Sequence, residues 1–261
     1  MKEGVKMFSS NCKFNRTCKQ KDSEQCNSLC YPFVVLHGTS GRAGFWGSTN
    51  VPVKYKHCLI ENLPIKEDNP KVDAVIRKYV SNISHYVLEK NVGLFLFSIP
   101  DANNRFGTGT GKTTTAITVL NEFVIEQVRR HMKGEINLTN NPALFVKASE
   151  FQNKYNEQFR GNYDSQQQAS EVYYRFKQRM KQTDLLVIDD VAVRDTTEAF
   201  RNEFFEIIDH RSTEDKTTIF TSNLPIEKVA EVLGDRIASR IEGMCYMLGL
   251  KGQDHRKDWR L

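Results

Sequence analysis

The sequence predicts a doubly wound α/β domain with a parallel five-stranded sheet, and three observations carry that prediction. Short, continuous apolar runs recur along the chain, as expected of strands that are buried on both faces. Segments with apolar residues at helical spacing separate these runs. A glycine-rich loop follows the first run, where a helix is predicted to begin. Helices that alternate with parallel strands define the doubly wound class.

The elements follow in order after a turn-rich stretch near residue 62. Asn69 and Pro70 are favourable N-cap and first-turn residues, so they predict the start of a helix. Apolar residues at helical spacing continue to Ile83. Ser149 and Gln152 form a capping-box pattern that predicts the helix after the second strand. The five strands are predicted at 93–98, 143–148, 185–189, 218–223 and 245–250.

Composition limits the class of protein. The chain has 261 residues, 39% hydrophobic and 26% charged, as in a soluble globular protein with one sizeable core and a small appendage. No apolar run approaches the ~18–20 residues of a membrane span. The first residues contain no apolar signal-peptide core, so we expect a cytoplasmic protein with reduced thiols and no membrane partner. The net charge of +5 permits contact with nucleic acid without requiring it.

A shift in composition marks a small N-terminal domain. Residues 1–60 carry nine Lys or Arg against three acidic residues, and the stretch 12–30 alone holds four of the six cysteines. We therefore predict a Cys-rich N-terminal domain at 1–62, a linker with the leading helix at 63–92, and the α/β domain at 93–261.

The four N-terminal cysteines are candidate zinc ligands. Cys12, Cys18, Cys26 and Cys30 are separated by five, seven and three residues. Four thiolates can close a tetrahedral Zn²⁺ site, and a domain of this size benefits from such a cross-link. The compact C-x₂-C pairs of common zinc modules are missing, so free structural cysteines are the alternative. Further candidate ligands are His37, His57 and Cys58.

The loop "FGTGTGKT" at 106–113 matches the phosphate-binding pattern G-x-x-x-x-G-K-[ST] except at its first position, where Phe106 replaces glycine. Backbone N–H groups at a helix N-terminus can surround phosphates, and glycines permit the close approach. Lys112 can bind the β- and γ-phosphates, and the Thr113 hydroxyl can ligate Mg²⁺. The predicted nucleotide-binding residues are Gly107, Thr108, Gly109, Thr110, Gly111, Lys112, Thr113 and Thr114.

Two later strands end in polar residues that complete a nucleotide site. "LLVIDD" ends in Asp189 and Asp190, at the carboxyl edge where open α/β sheets bind ligands. Asp189 is the candidate Mg²⁺ ligand of a Walker B motif, and Asp190 the candidate general base. Asn223 ends the predicted fourth strand and could orient the attacking water. Without the other motifs, these residues would be interpreted as ordinary acidic or Asn-containing turns at strand ends.

Together these motifs give the sequence a family resemblance. It resembles the AAA+ ATPases, specifically the DnaC/DnaI-type helicase loaders of bacteria and phages and their IstB relatives. The resemblance covers about three quarters of the chain, through "GTGTGKTTTA", "TDLLVIDDVA", "EFFEIIDHR", "TTIFTSNLP", "LGDRIASRI" and "GQDHRK". It implies that Asn223 is the sensor 1 residue.

The same resemblance assigns three arginines. Arg240 corresponds to the arginine finger that acts on a neighbouring subunit's ATP, Arg236 to its companion, and Arg256 to sensor 2. A permanently charged guanidinium suits the charge that develops during phosphoryl transfer. Arg236 and Arg240 lie four residues apart, on one face of a predicted helix. The alternative is that they form surface ion pairs with Asp235 or Glu242.

The function that the resemblance implies is ATP-dependent loading of a ring-shaped, DnaB-type helicase onto single-stranded DNA, by a self-assembled or helicase-templated oligomer. The N-terminal domain would dock the helicase. The alternatives are an IstB-like transposition helper and an adaptor that binds ATP without hydrolysing it. The sequence departs from the family at two points: extra residues "IPDANNR" precede the glycine loop, and Phe106 replaces the usual glycine. The sequence after the last strand is too short for the helical lid of many AAA+ proteins, which fits the loader and IstB branch.

A stretch that mixes basic and aromatic residues is the candidate contact for single-stranded DNA. "KASEFQNKYNEQFRGNY" contains Tyr155, Phe159 and Tyr163 among basic residues, and "YYRFKQRMK" repeats this mixture. Aromatic rings stack on bases while cations follow the phosphates. The same pattern fits amphipathic helices with a core face, which is the alternative.

Overall fold

A computed structural model of the chain describes residues 9–10, 12–102, 104–191 and 196–254. The strands form one parallel sheet in the order β2-β3-β4-β1-β5, which confirms the predicted α/β fold with five parallel strands. Three strands begin and end at the predicted residues, β2 ends one residue early, and β4 is shifted by one residue at both ends. The strands are β1 (Gly93–Ser98), β2 (Ala143–Lys147), β3 (Leu185–Asp189), β4 (Thr217–Ser222) and β5 (Cys245–Leu250).

Helices cover both faces of the sheet. The described N-terminal segment includes two short α-helices, α1 (Tyr31–His37) and α2 (Gly44–Gly47). The remaining helices are α3 (Pro70–Ser81), α4 (Lys112–Met132), α5 (Ala148–Glu157), α6 (Tyr163–Gln182), α7 (Glu198–Thr213), α8 (Ile226–Leu233) and α9 (Asp235–Met244). None of the described helices is both long and apolar enough to cross a membrane.

Alternate strand residues point into two separate cores. Leu94 and Leu96 of β1 pack with α3 and α4 on one face, together with residues from the N-terminal segment. Phe95, between them, packs with α5 to α9 on the other face. Both cores consist largely of fully buried aliphatic and aromatic side chains. Burial on both faces explains why the strands are continuous apolar runs instead of alternating ones.

The N-terminal segment packs directly on the α/β domain. Trp46 is 3% exposed, and its Nε1–H donates to Oδ1 of Asn121 on α4 at 2.9 Å. The backbone N–H of Phe145, on the edge strand β2, donates to the carbonyl of Thr49 at 2.7 Å. This segment therefore covers one sheet edge and the outer face of α4. The boundary at residue 62 stays a prediction about domain organisation.

One helix start was predicted correctly, although its N-cap residue Asn69 makes no side-chain cap bond, and one capping box was predicted wrongly. Helix α3 begins at Pro70 as expected, but the Asn69 side chain makes no cap hydrogen bond and instead bonds both ways with the backbone of Lys251. Helix α5 begins at Ala148, without a side-chain cap, because β2 runs into it directly. Ser149 therefore lies inside the first turn and cannot act as the N-cap.

Candidate nucleotide site

The glycine loop connects β1 to α4 at the carboxyl edge of the sheet. Gly107, Gly109 and Gly111 have φ values of 57°, 69° and 91°, a left-handed conformation that residues with a Cβ adopt at a cost. Lys112 is the first residue of α4 and is 5% exposed. The loop thus has the backbone form of a phosphate-binding loop, even though Phe106 occupies its first position with its ring 81% exposed.

The Lys112 ammonium lies within the loop. Nζ donates to Ser98 Oγ at 2.5 Å, to the carbonyl of Gly107 at 3.1 Å and to Thr110 Oγ1 at 3.4 Å. Ser98 Oγ in turn donates to the Gly107 carbonyl. These neutral oxygens hold the cation in a buried position beside the N-terminus of α4, which is the positive end of the helix dipole. An anion bound here would be attracted by both positive charges.

The predicted Mg²⁺ ligands of the two motifs are in direct contact. Thr113 Oγ1 donates to Asp189 Oδ1 at 2.7 Å, and Thr221 Oγ1 donates to the same oxygen at 2.8 Å. Burial raises the pKa of Asp189 above its ordinary value, while the two hydroxyl hydrogen bonds act in the opposite direction. A hydroxyl beside a buried carboxylate, close to a phosphate-binding loop, is a donor set that suits Mg²⁺.

Two further predicted catalytic residues, Asp190 and Asn223, lie at the same edge. Asp190 has a φ of 58°, and its N–H donates to Thr221 Oγ1 at 2.9 Å, which turns the chain away from β3 just after Asp189. Asn223 follows the last residue of β4 and is half-buried. Since β3 and β4 are parallel neighbours, Asp190 and Asn223 emerge side by side.

The structure adds residues that the motifs did not identify. Ser98 and Thr221 orient Lys112 and Asp189, and each stands near the carboxyl end of a strand that leads into the site. Asn104, in the extra segment, bonds to the backbone of Thr108. Asp254 lies against Gly109. Polar residues at strand ends were a usable signal for the first two, whereas the last two depend on contacts distant in sequence.

The arginines on α9 lie apart from this loop. The Arg236 guanidinium stacks over the Phe205 ring at 4.1 Å, and Arg240 pairs with Asp209 at 2.8 Å. Both arginines line one surface pocket together with Asp235 and Ser239. Within the part of the chain that the structure describes, neither arginine forms an ion pair with Asp235 or Glu242. Arg256 lies outside the described residues.

The four N-terminal cysteines line one small cavity. Burial raises the pKa of Cys12 to about 11, and the other three thiols, Cys18, Cys26 and Cys30, act in the same direction because they lie close by. Within the described ranges, however, no three His, Cys, Asp or Glu side chains are arranged to hold a metal ion.

The additional zinc candidates have other surroundings. His37 is fully buried, and its Nε2 accepts a hydrogen bond from the Lys13 N–H at 3.2 Å. Burial, followed by the charge of Lys13, lowers the pKa of His37 to about 3. Burial also lowers the pKa of His57 and raises that of Cys58.

A five-stranded parallel sheet with a glycine-rich loop after β1 and paired aspartates after β3 is consistent with an AAA+ P-loop core. The family described as IstB-like ATP binding protein matches residues 161–260. The chain is 24% identical over 196 residues to the replicative helicase loader DnaC of Buchnera aphidicola. This alignment covers 75% of this chain and 67% of that protein. For DnaC of Escherichia coli K12 the values are 22% over 188 residues, with 72% and 64% covered. The matched region thus spans about two thirds of these relatives.

Solved structures agree on the fold. A crystal structure of DnaI aligns with a TM-score of 0.56 at 18% identity, over 79% of this chain and 95% of that one. The crystal structure of the DnaC helicase loader gives 0.54 at 19% identity, over 77% and 100%. The replication initiator DnaA bound to AMPPCP and single-stranded DNA gives 0.54 at 21%, over 78% and 52%. The resemblance to the DnaC/DnaI-type and IstB-like ATP-binding proteins is confirmed.

Proposed function

We propose that this chain is a Mg²⁺-dependent ATPase that loads a ring-shaped replicative helicase onto single-stranded DNA, with hydrolysis as the switch. The observation that carries the proposal is the contact between Thr113 and Asp189, at 2.7 Å, beside Lys112. It brings the metal-binding groups of two motifs together at the end of a phosphate-binding loop. The similar proteins are named replicative helicase loaders, which supports a helicase as the partner. The geometry of the motifs supports ATP hydrolysis as the reaction.

Each residue of the site has a role in this reaction. The N–H groups of the loop and Lys112 would bind the phosphates, and Thr113 with Asp189 would hold Mg²⁺, directly or through water. Mg²⁺ would neutralise charge on the β- and γ-phosphates. Asp190 would accept a proton from the attacking water, and Asn223 would orient that water.

The arginine assignments require a second subunit. Arg240 is about half-exposed, and its ion-pair partner among the described residues is the partly exposed Asp209, so a stronger anion can replace that partner. Arg236 presents a cation on the same helix face. We therefore assign Arg240 as the finger that reaches a neighbouring subunit's ATP, with Arg236 as its companion and Arg256 as sensor 2. Hydrolysis then requires an oligomer, either self-assembled or templated by the helicase.

The helix pair α5–α6 is the proposed surface for single-stranded DNA. Phe159 and Tyr163 are 66% and 79% exposed at the connection between these helices, and Tyr174 is 59% exposed. Tyr155 instead turns inward and packs edge-on against Tyr173. The aromatic pattern thus divides into a core-facing part and an exposed part. The exposed rings, near Arg160, are available to stack on bases.

The N-terminal segment is the proposed docking module for a DnaB-type helicase. The convergence of Cys12, Cys18, Cys26 and Cys30 on one cavity supports Zn²⁺ as its ligand, provided that the thiols shift into tetrahedral geometry. We expect about one zinc per chain in purified protein. Cys26→Ser should lower both the metal content and helicase capture, while Cys245→Ser should change neither. A metal-free wild type that captures the helicase would remove zinc from the proposal.

The test of the nucleotide site compares Lys112→Ala with Lys133→Ala, which removes an exposed lysine at the other end of α4. Lys112→Ala should abolish ATP binding, measured by calorimetry, because it deletes the buried cation. Lys133→Ala should bind like the wild type. A wild type that shows no binding at millimolar ATP would refute the proposal.

Two further outcomes separate the alternatives. If wild type binds ATP but shows no turnover, even with helicase and single-stranded DNA, the function of a non-hydrolysing adaptor is favoured. If it turns over ATP but captures no DnaB-type helicase, the transposition-helper function is favoured. The IstB-like match at residues 161–260 is the observation behind this second candidate.

A further inference from the structure

The chain after β5 returns to the nucleotide loop. The Lys251 carbonyl accepts from Asn69 Nδ2 at 2.8 Å, and the Lys251 N–H donates to Asn69 Oδ1 at 3.0 Å. Gly252 has a φ of 121°, and a Cβ at this position would lie 2.2 Å from Oδ2 of Asp68. The backbone of this segment, residues 251–254, is thus held against the start of α3 in a conformation that glycine permits.

The segment also contacts the loop itself. Thr108 Oγ1 lies 3.4 Å from Asp254 Oδ2, within hydrogen-bonding distance. A Cβ added to Gly109 would come within 1.7 Å of Asp254 Oδ1 and 2.9 Å of its Cα. Gly109 therefore serves the packing of Asp254 as well as the curvature of the loop.

One side chain from the extra segment joins these two parts. Asn104 is 8% exposed, and its Nδ2 donates to the Thr108 carbonyl at 2.7 Å and to the Gly252 carbonyl at 2.9 Å. Its Oδ1 accepts from the Thr108 N–H at 3.3 Å. The backbone of Asn104 is fixed in turn, since its N–H donates to Asp101 Oδ1 and its carbonyl accepts from the Gly107 N–H. Both amide hydrogens and the amide oxygen are used.

We infer that Asn104 is a positioning residue that fastens segment 251–254 to the phosphate-binding loop, so that the seating of this segment and the binding of nucleotide are coupled. The amide holds the backbone of Thr108 on both sides, which stabilises the loop although Phe106 replaces the usual glycine. The same amide holds the carbonyl of Gly252. This inference rests on the proposed nucleotide site, because the coupling has a consequence only if the loop binds phosphates.

The direction of the coupling follows from the geometry. Without the amide, the loop and the segment can move separately, so the loop spends less time with its N–H groups arranged for phosphate. By reciprocity, a nucleotide that requires the ordered loop must also favour the seated segment. Arg256 follows Asp254 by two residues in the sequence, so the seated segment also leads to the predicted sensor 2.

The first experiment measures seating without nucleotide. Trypsin cuts after Lys251 only when the backbone there leaves Asn69, so the fragment ending at Lys251, measured by mass spectrometry, reports unseating. Asn104→Ala should increase that cleavage rate about tenfold, as expected for the loss of a hydrogen bond to each part. Asn153→Ala, which changes an exposed asparagine on α5, should leave it unchanged. An unaltered rate in Asn104→Ala would overturn the inference.

The second experiment measures coupling. ATP should slow the cleavage after Lys251 in wild type, and Asn104→Ala should weaken ATP binding about tenfold. Gly252→Ala, which unseats the segment from its other side, should weaken it similarly. The double variant should be no weaker than either single one, because both changes break the same connection. Additive effects would mean that Asn104 and Gly252 act independently and would contradict the inference.

The two experiments also separate this inference from the proposed function. If wild type binds no ATP, the nucleotide site fails, while the cleavage rates still decide whether Asn104 fastens the segment. If ATP binds normally to all variants, the nucleotide site stands and the coupling is refuted. If Asn104→Ala fails to fold, Asn104→Asp replaces it in both experiments. Asn104→Asp keeps the acceptor for the Thr108 N–H and removes the donors, so it should also accelerate cleavage.

Discussion

Replacing Arg240 with alanine should abolish hydrolysis while leaving ATP bound. The magnitude follows from the surroundings of this side chain. Arg240 and Asp209 are 49% and 37% exposed, so their ion pair contributes about 0–1 kcal/mol to stability and its loss should not unfold the protein. An arginine finger contributes about 10³–10⁵-fold to kcat. The effect on turnover should therefore exceed the effect on stability by far.

The pairing with Asp209 sets a second, smaller expectation. Releasing Arg240 from Asp209 costs at most about 1 kcal/mol, equivalent to roughly fivefold in an equilibrium. Asp209→Asn should thus raise turnover in the assembled state by at most about fivefold, because it removes the competing anion. A loss of turnover in Asp209→Asn would show that the pair has a different role.

The assay uses mixed assemblies. Lys112→Ala lacks an ATP site and Arg240→Ala lacks the finger, so each should be inactive alone. In a 1:1 mixture of subunits, about a quarter of the interfaces combine an intact site with an intact finger. Turnover in the helicase-bound mixture should accordingly recover to about a quarter of the wild-type rate. An Arg240→Ala variant that hydrolyses ATP normally, or a mixture that recovers nothing, would refute action across subunits.

Three further predictions concern the site and the fold. Thr113→Ala should weaken ATP binding in Mg²⁺ but not in EDTA, and Thr113→Ser should restore it because the hydroxyl returns. Arg211 is fully buried and donates to several backbone carbonyls. Arg211→Met should therefore lower the free energy of unfolding, measured in urea, by about 5 kcal/mol or more. A change below about 1 kcal/mol would contradict this. Burial lowers the pKa of His37 to about 3, so the unfolded chain takes up a proton below its ordinary value of 6.5 while the folded chain does not. Stability should therefore fall by about 2 kcal/mol between pH 6.5 and 5, and His37→Gln should remove that dependence whereas the exposed His85→Gln keeps it.

The sequence predicted the parts of the site whose signal is local. The loop from Gly107 to Thr113 and the aspartates after β3 are short patterns, because the backbone that binds phosphate and the strand that delivers Asp189 are each built from consecutive residues. Strand positions were also predictable within one residue at either end, since burial on both faces leaves an apolar run with clear limits.

The partners of individual polar side chains were not predictable in the same way. Asn is a favoured N-cap residue, yet the Asn69 amide forms its hydrogen bond with the backbone of Lys251, 182 residues away. Arg240 has acidic neighbours on its own helix, yet it pairs with Asp209 on α7. In both cases a local rule offers one partner and the packing of distant segments offers a better one. Only the folded chain decides between them.

The composition shift near residue 62 does not coincide with a break in the packing of the chain. Glu122 on α4 accepts from the Ile60 N–H at 2.9 Å and pairs with Arg16, so the proposed docking segment is bonded to the helix that begins at Lys112. Ten residues of helix correspond to about 15 Å. A helix of that length moves as a rigid body, so a displacement of its first turn by bound phosphate also displaces the surface that holds the docking segment. Coupling between nucleotide and helicase therefore needs no contact between their sites, because α4 contacts both.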